Sequence, residues 1–235
     1  MISLEKIRAS VADELAQLNQ IIATTLHSDT ELMNTIVTRY LLTKGKQLRP
    51  LLVLLSGRLF GGITDRVLYA GAAIEMLHNA SLLHDDVIDD DAQRRGQPSV
   101  NARWGNTVAV LAGDYLLAQT MALLDEVDDR EATRRINETV IAMTEAELLA
   151  QSVSDGQWSA DTYLQVIDGK TARLFATACA LGNPEYEEFG LHYGRLFQLH
   201  DDIADKEAHP FTADLIHQEE AILAAIKPTL QAQII

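Results

Sequence analysis

Two short acidic clusters are the residues of this chain best suited to chemistry. Both have the pattern Asp-Asp-x-x-Asp, the first from Asp85 to Asp89 and the second from Asp201 to Asp205. Residues four apart lie on one face of a helix, so the outer carboxylates of each cluster would stand one turn apart. Divalent cations with oxygen ligands would compensate their mutual repulsion, and Mg²⁺ typically takes one or two carboxylates, with waters and substrate phosphates as its other ligands. The clusters therefore predict two metal-binding helix segments that face a phosphorylated substrate.

The plain alternative is that each cluster is a solvated acidic helix end. The residues at 80–83, just before the first cluster, are apolar or small, so these acids extend from a core-like helix. Two separate helices with the same acidic pattern in such a context are hard to explain as surface decoration. This context favours the metal-binding interpretation.

Positively charged side chains near the clusters could hold phosphate groups. Arginine suits this role because its planar guanidinium donates several hydrogen bonds to phosphate oxygens at once. Any one of these residues is weak evidence, since most Lys and Arg side chains are simply solvated. The candidates are Lys46, Arg49, Arg94, Arg95 and Lys170.

The elements that must position these residues are all predicted to be helices. Apolar residues recur at three- and four-residue steps, whereas the strict alternation typical of strands is not sustained anywhere. Gly and Pro predict a loop at 95–98, and Ser28 with Glu31 predicts a capping box. The predicted helices cover about 7–22, 47–60, 64–90, 107–124, 130–154, 160–181, 185–206 and 212–235. We predict one all-α domain over residues 1–235.

Composition excludes several classes of protein. The formal net charge of −15 argues against a nucleic-acid partner, since no concentrated basic face is evident. The apolar fraction of 47% is ordinary for a globular protein, and the single cysteine, Cys179, cannot form an internal disulfide. No run approaches the ~20 uninterrupted apolar residues of a membrane helix, and the first residues lack an apolar signal region. We expect a cytoplasmic protein with no integral membrane segment.

Five motifs, in order along the chain, resemble those of the trans-isoprenyl (polyprenyl) diphosphate synthase family. They are Gly45-Lys46-Gln47-Leu48-Arg49-Pro50, the stretch from His78 to Arg95, Gly113-Asp114-Tyr115-Leu116, Gly169-Lys170-Thr171-Ala172 and the stretch from Phe197 to Asp205. The resemblance implies a single-domain helical bundle around a central cavity, of the isoprenoid synthase type. It also implies a homodimer and dependence on Mg²⁺.

The resemblance further implies a role for each residue of the motifs. The metal ligands would be Asp85, Asp89 and Asp201, with Asp205 in support. The allylic diphosphate would be held by Arg94, Lys170, Thr171 and Gln198, and isopentenyl diphosphate by Lys46, Arg49, His78 and Arg95. The catalytic residues among them would be Asp85, Asp89, Lys170 and Asp201.

The implied reaction is chain elongation of an allylic diphosphate. Diphosphate leaves the allylic substrate, the double bond of isopentenyl diphosphate attacks the allylic cation, and a proton is lost to the released diphosphate. The residues below Asp85, namely Leu77, Ala80 and Ser81, are small or aliphatic. Because bulky aromatic residues at matching positions cap short products in this family, we predict a medium- or long-chain all-trans polyprenyl diphosphate.

One departure from the family pattern leaves an alternative open. After Asp205 the sequence has no match to the family's Lys- and Gly-rich loop, and about one helix follows, so we expect a domain that is short at its C-terminal end. A non-catalytic or regulatory subunit of a heteromeric prenyl synthase is therefore the second hypothesis. The terpene cyclases share the helical fold, but the second acidic cluster and the Lys46/Arg49 pair argue against them.

Overall fold

Side-chain caps and left-handed residues set the ends of several helices. The computed structural model describes residues 3–41, 45–154 and 157–232. At Ser3, Ser99 and Ser159 the hydroxyl accepts a hydrogen bond from the backbone N–H three residues on, which satisfies one free donor of the first turn. The helix that carries the second acidic cluster ends at Asp205, and its C-cap Lys206 has a left-handed φ of 65°.

Most of the described residues are helical, and the strands among them are two residues long, which confirms the all-α prediction. The α-helices are α1 (Leu4–Ala9), α2 (Ala12–Thr25), α3 (Glu31–Ile36), α4 (Leu48–Phe60), α5 (Asp65–Ile88), α6 (Val100–Trp104), α7 (Asn106–Val127), α8 (Arg130–Ser152), α9 (Ala160–Ile167), α10 (Arg173–Gly182), α11 (Glu187–Asp205) and α12 (Thr212–Ala232). Two π-helical segments cover Val37–Leu41 and Asp168–Ala172, and a 3₁₀ turn covers Pro184–Tyr186.

Some local predictions need correction. The helix predicted over 160–181 contains the π-helical segment Asp168–Ala172, and the helix predicted over 7–22 is divided into α1 and α2. The capping box is wrong: Thr30 is the N-cap of α3, and the Ser28 hydroxyl accepts from the Thr30 backbone N–H at 3.1 Å. The last three positions of the predicted helix 212–235 lie outside the described residues.

The loop predicted at 95–98 is part of a small β-hairpin. Strands β1 (Gln93–Arg94) and β2 (Gln97–Pro98) pair antiparallel. The residues between them, Arg95 and Gly96, have φ of 52° and 75°. Two successive positive φ angles are typical of the type I′ turn, which matches the twist of a two-residue hairpin.

The chain divides into two compact units. The first comprises Met1–Leu54 and Ile63–Thr133, and the second comprises Leu55–Gly62 and Arg134–Ile235. In the first unit α5 packs against α2, α6 and α7, and in the second α11 packs against α10, α12 and the π-helical segment. The single domain and its central cavity remain predictions.

Each unit has a helix that is buried on almost every side. Residues 70–77 of α5 are all buried, and so are residues 174–182 of α10. Such helices form the core around which amphipathic helices pack. Among the described helices, α7 is long and apolar enough over 106–126 to cross a membrane by length and composition, a weak criterion that buried core helices also meet.

Candidate functional site

The first acidic cluster lies at the C-terminal end of α5, in the first unit. The Asp89 backbone N–H donates to the Asp85 carbonyl at 2.8 Å, so these residues stand one turn apart. Asp85 is half-buried and Asp89 is exposed. The helix thus presents its outer carboxylate pair at an accessible end.

The middle carboxylate of this cluster has a different environment. Asp86 is 2% exposed, and it accepts a hydrogen bond from Arg94 Nε at 2.6 Å. Arg94 also donates from Nη2 to Asp91 at 2.9 Å, and the Asn101 side chain donates to the Asp86 carbonyl at 2.8 Å. Burial raises the pKa of Asp86, an effect that the Arg94 guanidinium opposes. Asp86 therefore anchors the β1–β2 hairpin to α5 through Arg94.

Three of the four residues predicted to hold isopentenyl diphosphate lie together in the first unit. Arg49 Nη1 lies 3.2 Å from His78 Nε2, and because Arg can only donate, Nε2 must be the acceptor and the ring proton lies on Nδ1. Burial and the charges of Arg49 and Arg95 hold the pKa of His78 well below its ordinary value. A Cβ on Gly45 would lie 2.9 Å from Arg95 Nη2, so glycine lets that guanidinium lie against the backbone. Lys46 follows Gly45 and is exposed.

Two residues that the sequence did not indicate support these cations. Glu75 is 6% exposed; burial raises its pKa, and the charges of Arg49 and Arg95 oppose that shift. Arg8, on α1, donates a short hydrogen bond to the Lys46 carbonyl. Glu75 could have been suspected because an acid inside an apolar helical run is rarely buried without a cationic partner.

The motif Gly113-Asp114-Tyr115-Leu116 joins α7 to its neighbours rather than contributing a cation. His84 lies over Gly113, leaving no room for a Cβ, and its Nε2 is 3.3 Å from Asp114 Oδ1. The Tyr115 hydroxyl donates to the His27 carbonyl at 3.0 Å. The motif thus fixes α7 against the end of α5 that carries the first cluster.

The second acidic cluster, in the second unit, repeats the arrangement of the first. Asp202 is 7% exposed and accepts from Gln198 Nε2 at 2.7 Å and from the Tyr163 hydroxyl through a short bond. Thr171 Oγ1 donates to Gln198 Oε1 at 2.7 Å. Burial, and then the hydrogen bond to Asp202, raise the pKa of Tyr163. Thr171 and Gln198, both predicted to hold the allylic diphosphate, are thus linked to the middle carboxylate.

The outer carboxylates of this cluster remain more accessible. Asp201 is half-buried, and Asp205 is exposed at the last position of α11. Tyr163, which the sequence analysis missed, lies 39 residues before Asp202, so no local pattern pointed to their contact.

Lys170 lies on the π-helical segment Asp168–Ala172 and contacts α8. Its Nζ is 2.6 Å from Glu147 Oε2. Burial alone would raise the pKa of Glu147, but hydrogen bonds from Lys170 and Gln151 bring it below its ordinary value. A Cβ on Gly169 would lie 2.5 Å from the Ala146 Cβ, so the segment approaches α8 this closely only because glycine precedes Lys170. Single-turn π segments are frequent at functional sites.

The donor set fits Mg²⁺ that shares its coordination with a phosphorylated substrate. In the described parts of the chain, no group of three or more His, Cys, Asp or Glu side chains forms a ready-made metal cage. Each cluster instead offers two outer carboxylates that are half-buried or exposed, whereas Asp86 and Asp202 are buried. One or two carboxylates, with water and phosphate oxygens as the remaining ligands, is the usual arrangement for protein-bound Mg²⁺.

Comparison with known proteins places this arrangement in a family. The family model for polyprenyl synthetase matches residues 30–215. The chain is 36% identical over 212 residues to the all-trans-nonaprenyl-diphosphate synthase (geranyl-diphosphate specific) of Rhodobacter capsulatus, covering 86% of the chain and 65% of that protein. It is 32% identical over 206 residues to heptaprenyl diphosphate synthase component 2 of Bacillus subtilis, covering 82% of the chain and 59% of that protein.

A solved structure agrees with these sequence relatives. The polyprenyl synthase of Caulobacter crescentus, crystallised with calcium and isoprenyl diphosphate, superposes with a TM-score of 0.82 at 32% identity, covering 85% of this chain and 64% of that one. The chain thus spans about two thirds of the length of these proteins. The matched residues contain both acidic clusters and every cation of the predicted site, and the chain belongs to the polyprenyl synthetase family.

Proposed function

We propose that the chain is a Mg²⁺-dependent prenyltransferase that condenses isopentenyl diphosphate with an allylic diphosphate into a medium- or long-chain all-trans polyprenyl diphosphate. One observation carries the proposal. In the first unit, α5 and its C-cap residue bring together an outer carboxylate pair, Asp85 and Asp89, and the histidine that lies 3.2 Å from an Arg49 nitrogen. Carboxylates for metal and cations for phosphate are the two kinds of group that a diphosphate substrate requires.

The residues have distinct proposed tasks. Bound Mg²⁺ would supply Lewis-acid stabilisation of the leaving diphosphate, and its proposed ligands are the outer carboxylates Asp85, Asp89, Asp201 and Asp205. Arg49 and Arg95, with Lys46, would bind isopentenyl diphosphate, next to a His78 ring that burial keeps neutral. Lys170, Thr171, Gln198 and Arg94 would hold the allylic diphosphate. Holding both substrates close together in the reactive orientation is the main contribution of such a site to the reaction rate.

The relatives' names support this proposal. One acts on a geranyl-diphosphate primer and makes an all-trans nonaprenyl product, by its name, and the structural neighbour holds isoprenyl diphosphate with calcium. The proposal includes a cytoplasmic homodimer. The name "component 2" of another relative favours a second candidate, a subunit that is inactive by itself.

Incorporation of radiolabelled isopentenyl diphosphate tests the proposal. The purified chain, given geranyl or farnesyl diphosphate and Mg²⁺, should form labelled polyprenyl diphosphates, and EDTA should abolish this. Asp85→Asn and Asp89→Asn should each lower turnover by about a thousandfold, comparable to the loss of a major electrostatic contact in other enzymes. Asp125→Asn, at an exposed position of α7, is the matched control and should be normal. Binding of magnesium diphosphate without any turnover would favour the subunit, and near-normal turnover of Asp85→Asn would refute the metal assignment.

A further inference from the structure

A network of ion pairs lies in the second unit, outside the predicted substrate ligands. Arg195, on α11, donates from Nε to Asp168 Oδ1 at 2.5 Å and from Nη2 to Asp168 Oδ2 at 2.7 Å. Its Nη1 donates to Glu219 Oε1 of α12 at 3.1 Å. The other oxygen of Glu219 is 2.5 Å from His192 Nδ1. One guanidinium therefore connects the π-helical segment, α11 and α12.

The network is more buried than an ordinary surface ion pair. The side chains of Arg195, His192 and Glu219 are 18%, 11% and 4% exposed. Exposed ion pairs contribute little to stability, whereas removing one partner of a buried pair leaves an uncompensated charge. The bidentate contact also fixes direction as well as distance, because the planar guanidinium matches the carboxylate. Asp168 is thus held in one orientation.

The position of Asp168 gives this contact its significance. Asp168 is the first residue of the π-helical segment, and Lys170 and Thr171 follow within it. The segment is fixed at three points: Asp168 by Arg195, Gly169 by its close approach to α8, and Thr171 by Gln198. All three contacts come from outside the segment, from α11 and α8.

Glu219 adds a contribution from outside the matched family region. The family model ends at residue 215, so Glu219 lies beyond it, on α12. Glu219 occupies the guanidinium nitrogen that Asp168 leaves free, and it is itself held by His192. Without Glu219, the contact that remains to Arg195 among the described residues is that with the Asp168 carboxylate, which is 31% exposed.

We propose that Arg195, oriented by Glu219 of α12, is a positioning residue that holds the Asp168 end of the π-helical segment so that Lys170 and Thr171 face the allylic diphosphate. This inference rests on the proposed function for its substrate, but its structural part does not. Arg195 acts through the segment and needs no contact with the reacting atoms. Helix α12 thereby influences recognition of one of the two substrates.

Amide hydrogen exchange and steady-state kinetics together test the inference. The variants are Glu219→Gln, which keeps size and removes charge, and Arg195→Lys, which keeps charge and removes the bidentate contact. Asp168→Asn is a third variant at a less buried position. In each, exchange of the amides of 168–172 in the ligand-free protein should rise about tenfold. The KM for the allylic diphosphate should also rise about tenfold. This is less than the roughly hundredfold loss of rate that a 1 Å misplacement of reacting groups can cause. The KM for isopentenyl diphosphate should stay within twofold of the wild-type value.

Two controls separate positioning from general stability. Arg135→Gln removes another ion pair of the same unit, that with Glu187 at 2.7 Å, and should change neither readout. In a background that carries both Lys170→Ala and Thr171→Ala, Glu219→Gln should raise the allylic KM by less than twofold, because the two residues through which it acts are gone. A KM that rises equally for both substrates would indicate a structural role and overturn the inference.

The exchange readout keeps the two proposals distinguishable. Unchanged exchange at 168–172 in all three variants overturns the positioning role, whatever the activity. Exchange that rises as expected in a chain with no prenyltransferase turnover would refute the proposed function and leave the positioning of the segment intact.

Discussion

Identical aspartates within each acidic cluster differ in their surroundings. The middle residues, Asp86 and Asp202, are buried and accept hydrogen bonds from protein side chains. The outer residues of the clusters are half-buried or exposed. The spacing predicted the outer pairs correctly as groups on one face, but it gave the middle residue no separate role. That role depends on Arg94 and Tyr163, which reach it from other elements.

Asp86→Asn should therefore affect stability more than metal dependence. Losing a charge-assisted hydrogen bond should cost about 2 kcal/mol and lower Tm by roughly 5 °C. The Mg²⁺ concentration for half-maximal activity should stay unchanged in Asp86→Asn, whereas Asp85→Asn should raise it. Thermal unfolding and magnesium titration of both variants measure this. If Asp86→Asn instead shifted the magnesium titration at constant Tm, the assignment of roles within the cluster would be reversed.

His78 should make stability depend on pH. Burial, then the charges of Arg49 and Arg95, hold its pKa well below the ordinary value of 6.5, so below about pH 6.5 the unfolded chain takes up a proton that the folded chain does not. Stability is then lost as the pH falls, by up to about 1.4 kcal/mol per pH unit. His78→Asn removes this loss. The raised pKa of Glu75 makes stability increase as the pH falls, but the wild type and His78→Asn share this contribution.

Thermal unfolding between about pH 7.5 and 5.5 checks this prediction. As the pH falls, the Tm of the wild type should decrease more steeply than the Tm of His78→Asn. The difference in Tm between the two proteins should therefore become smaller. A constant difference would mean that His78 titrates alike in the folded and unfolded chains.

At the scale of elements, helical periodicity predicted where helices lie but not how they are wound. The π-helical segment Asp168–Ala172 continues the apolar spacing of α9 and α10, so the sequence indicated one uninterrupted helix. The extra residue per turn is stabilised by tertiary contacts, such as the approach of Gly169 to α8. The Arg195–Asp168 pair was equally hidden, because 27 residues separate its members. The π-helical winding and this ion pair both depend on tertiary packing, which the local sequence pattern does not show.

The residues of α5 that precede the first acidic cluster should limit the chain length of the product. Ser81 lies one turn before Asp85, is half-buried, and donates to the His78 carbonyl at 2.9 Å. Ser81→Phe should shorten the main product by one or more isoprene units, as the family resemblance implies for bulky residues here. Adding Ala80→Phe should shorten it further, although Ala80 is fully buried and overpacking would cost about 1–3 kcal/mol.

Mass spectrometry of the products measures this effect. Ser81→Ala is the matched control and should give the wild-type product, since it removes the hydroxyl without adding volume. An unchanged product length in Ser81→Phe at normal turnover would contradict a product channel along this face of α5.

At the scale of the whole molecule, two helices expose apolar side chains that their own units leave uncovered. On α8, Ile141 and Leu148 are seven residues apart, hence on one face, and are 57% and 66% exposed. On α7, Leu111 is 62% exposed. Single exposed apolar residues are ordinary, but large ones that share a face of one helix, as on α8, are typical of a surface that binds a partner. We therefore expect a second copy of the chain to cover these faces.

Leu148→Glu should convert the expected homodimer into a monomer. Burying a Leu side chain contributes about 1.5–3 kcal/mol, and a twofold interface loses it twice, so the dissociation constant should rise by roughly a hundredfold or more. Sedimentation velocity at micromolar concentration should show a dimer for the wild type and a monomer for the variant. Leu59→Glu, at a residue of α4 that is 44% exposed, is the control for an added charge and should remain dimeric. A wild type that sediments as a monomer would leave the exposed apolar face of α8 to a different partner, which is the arrangement that a heteromeric synthase requires.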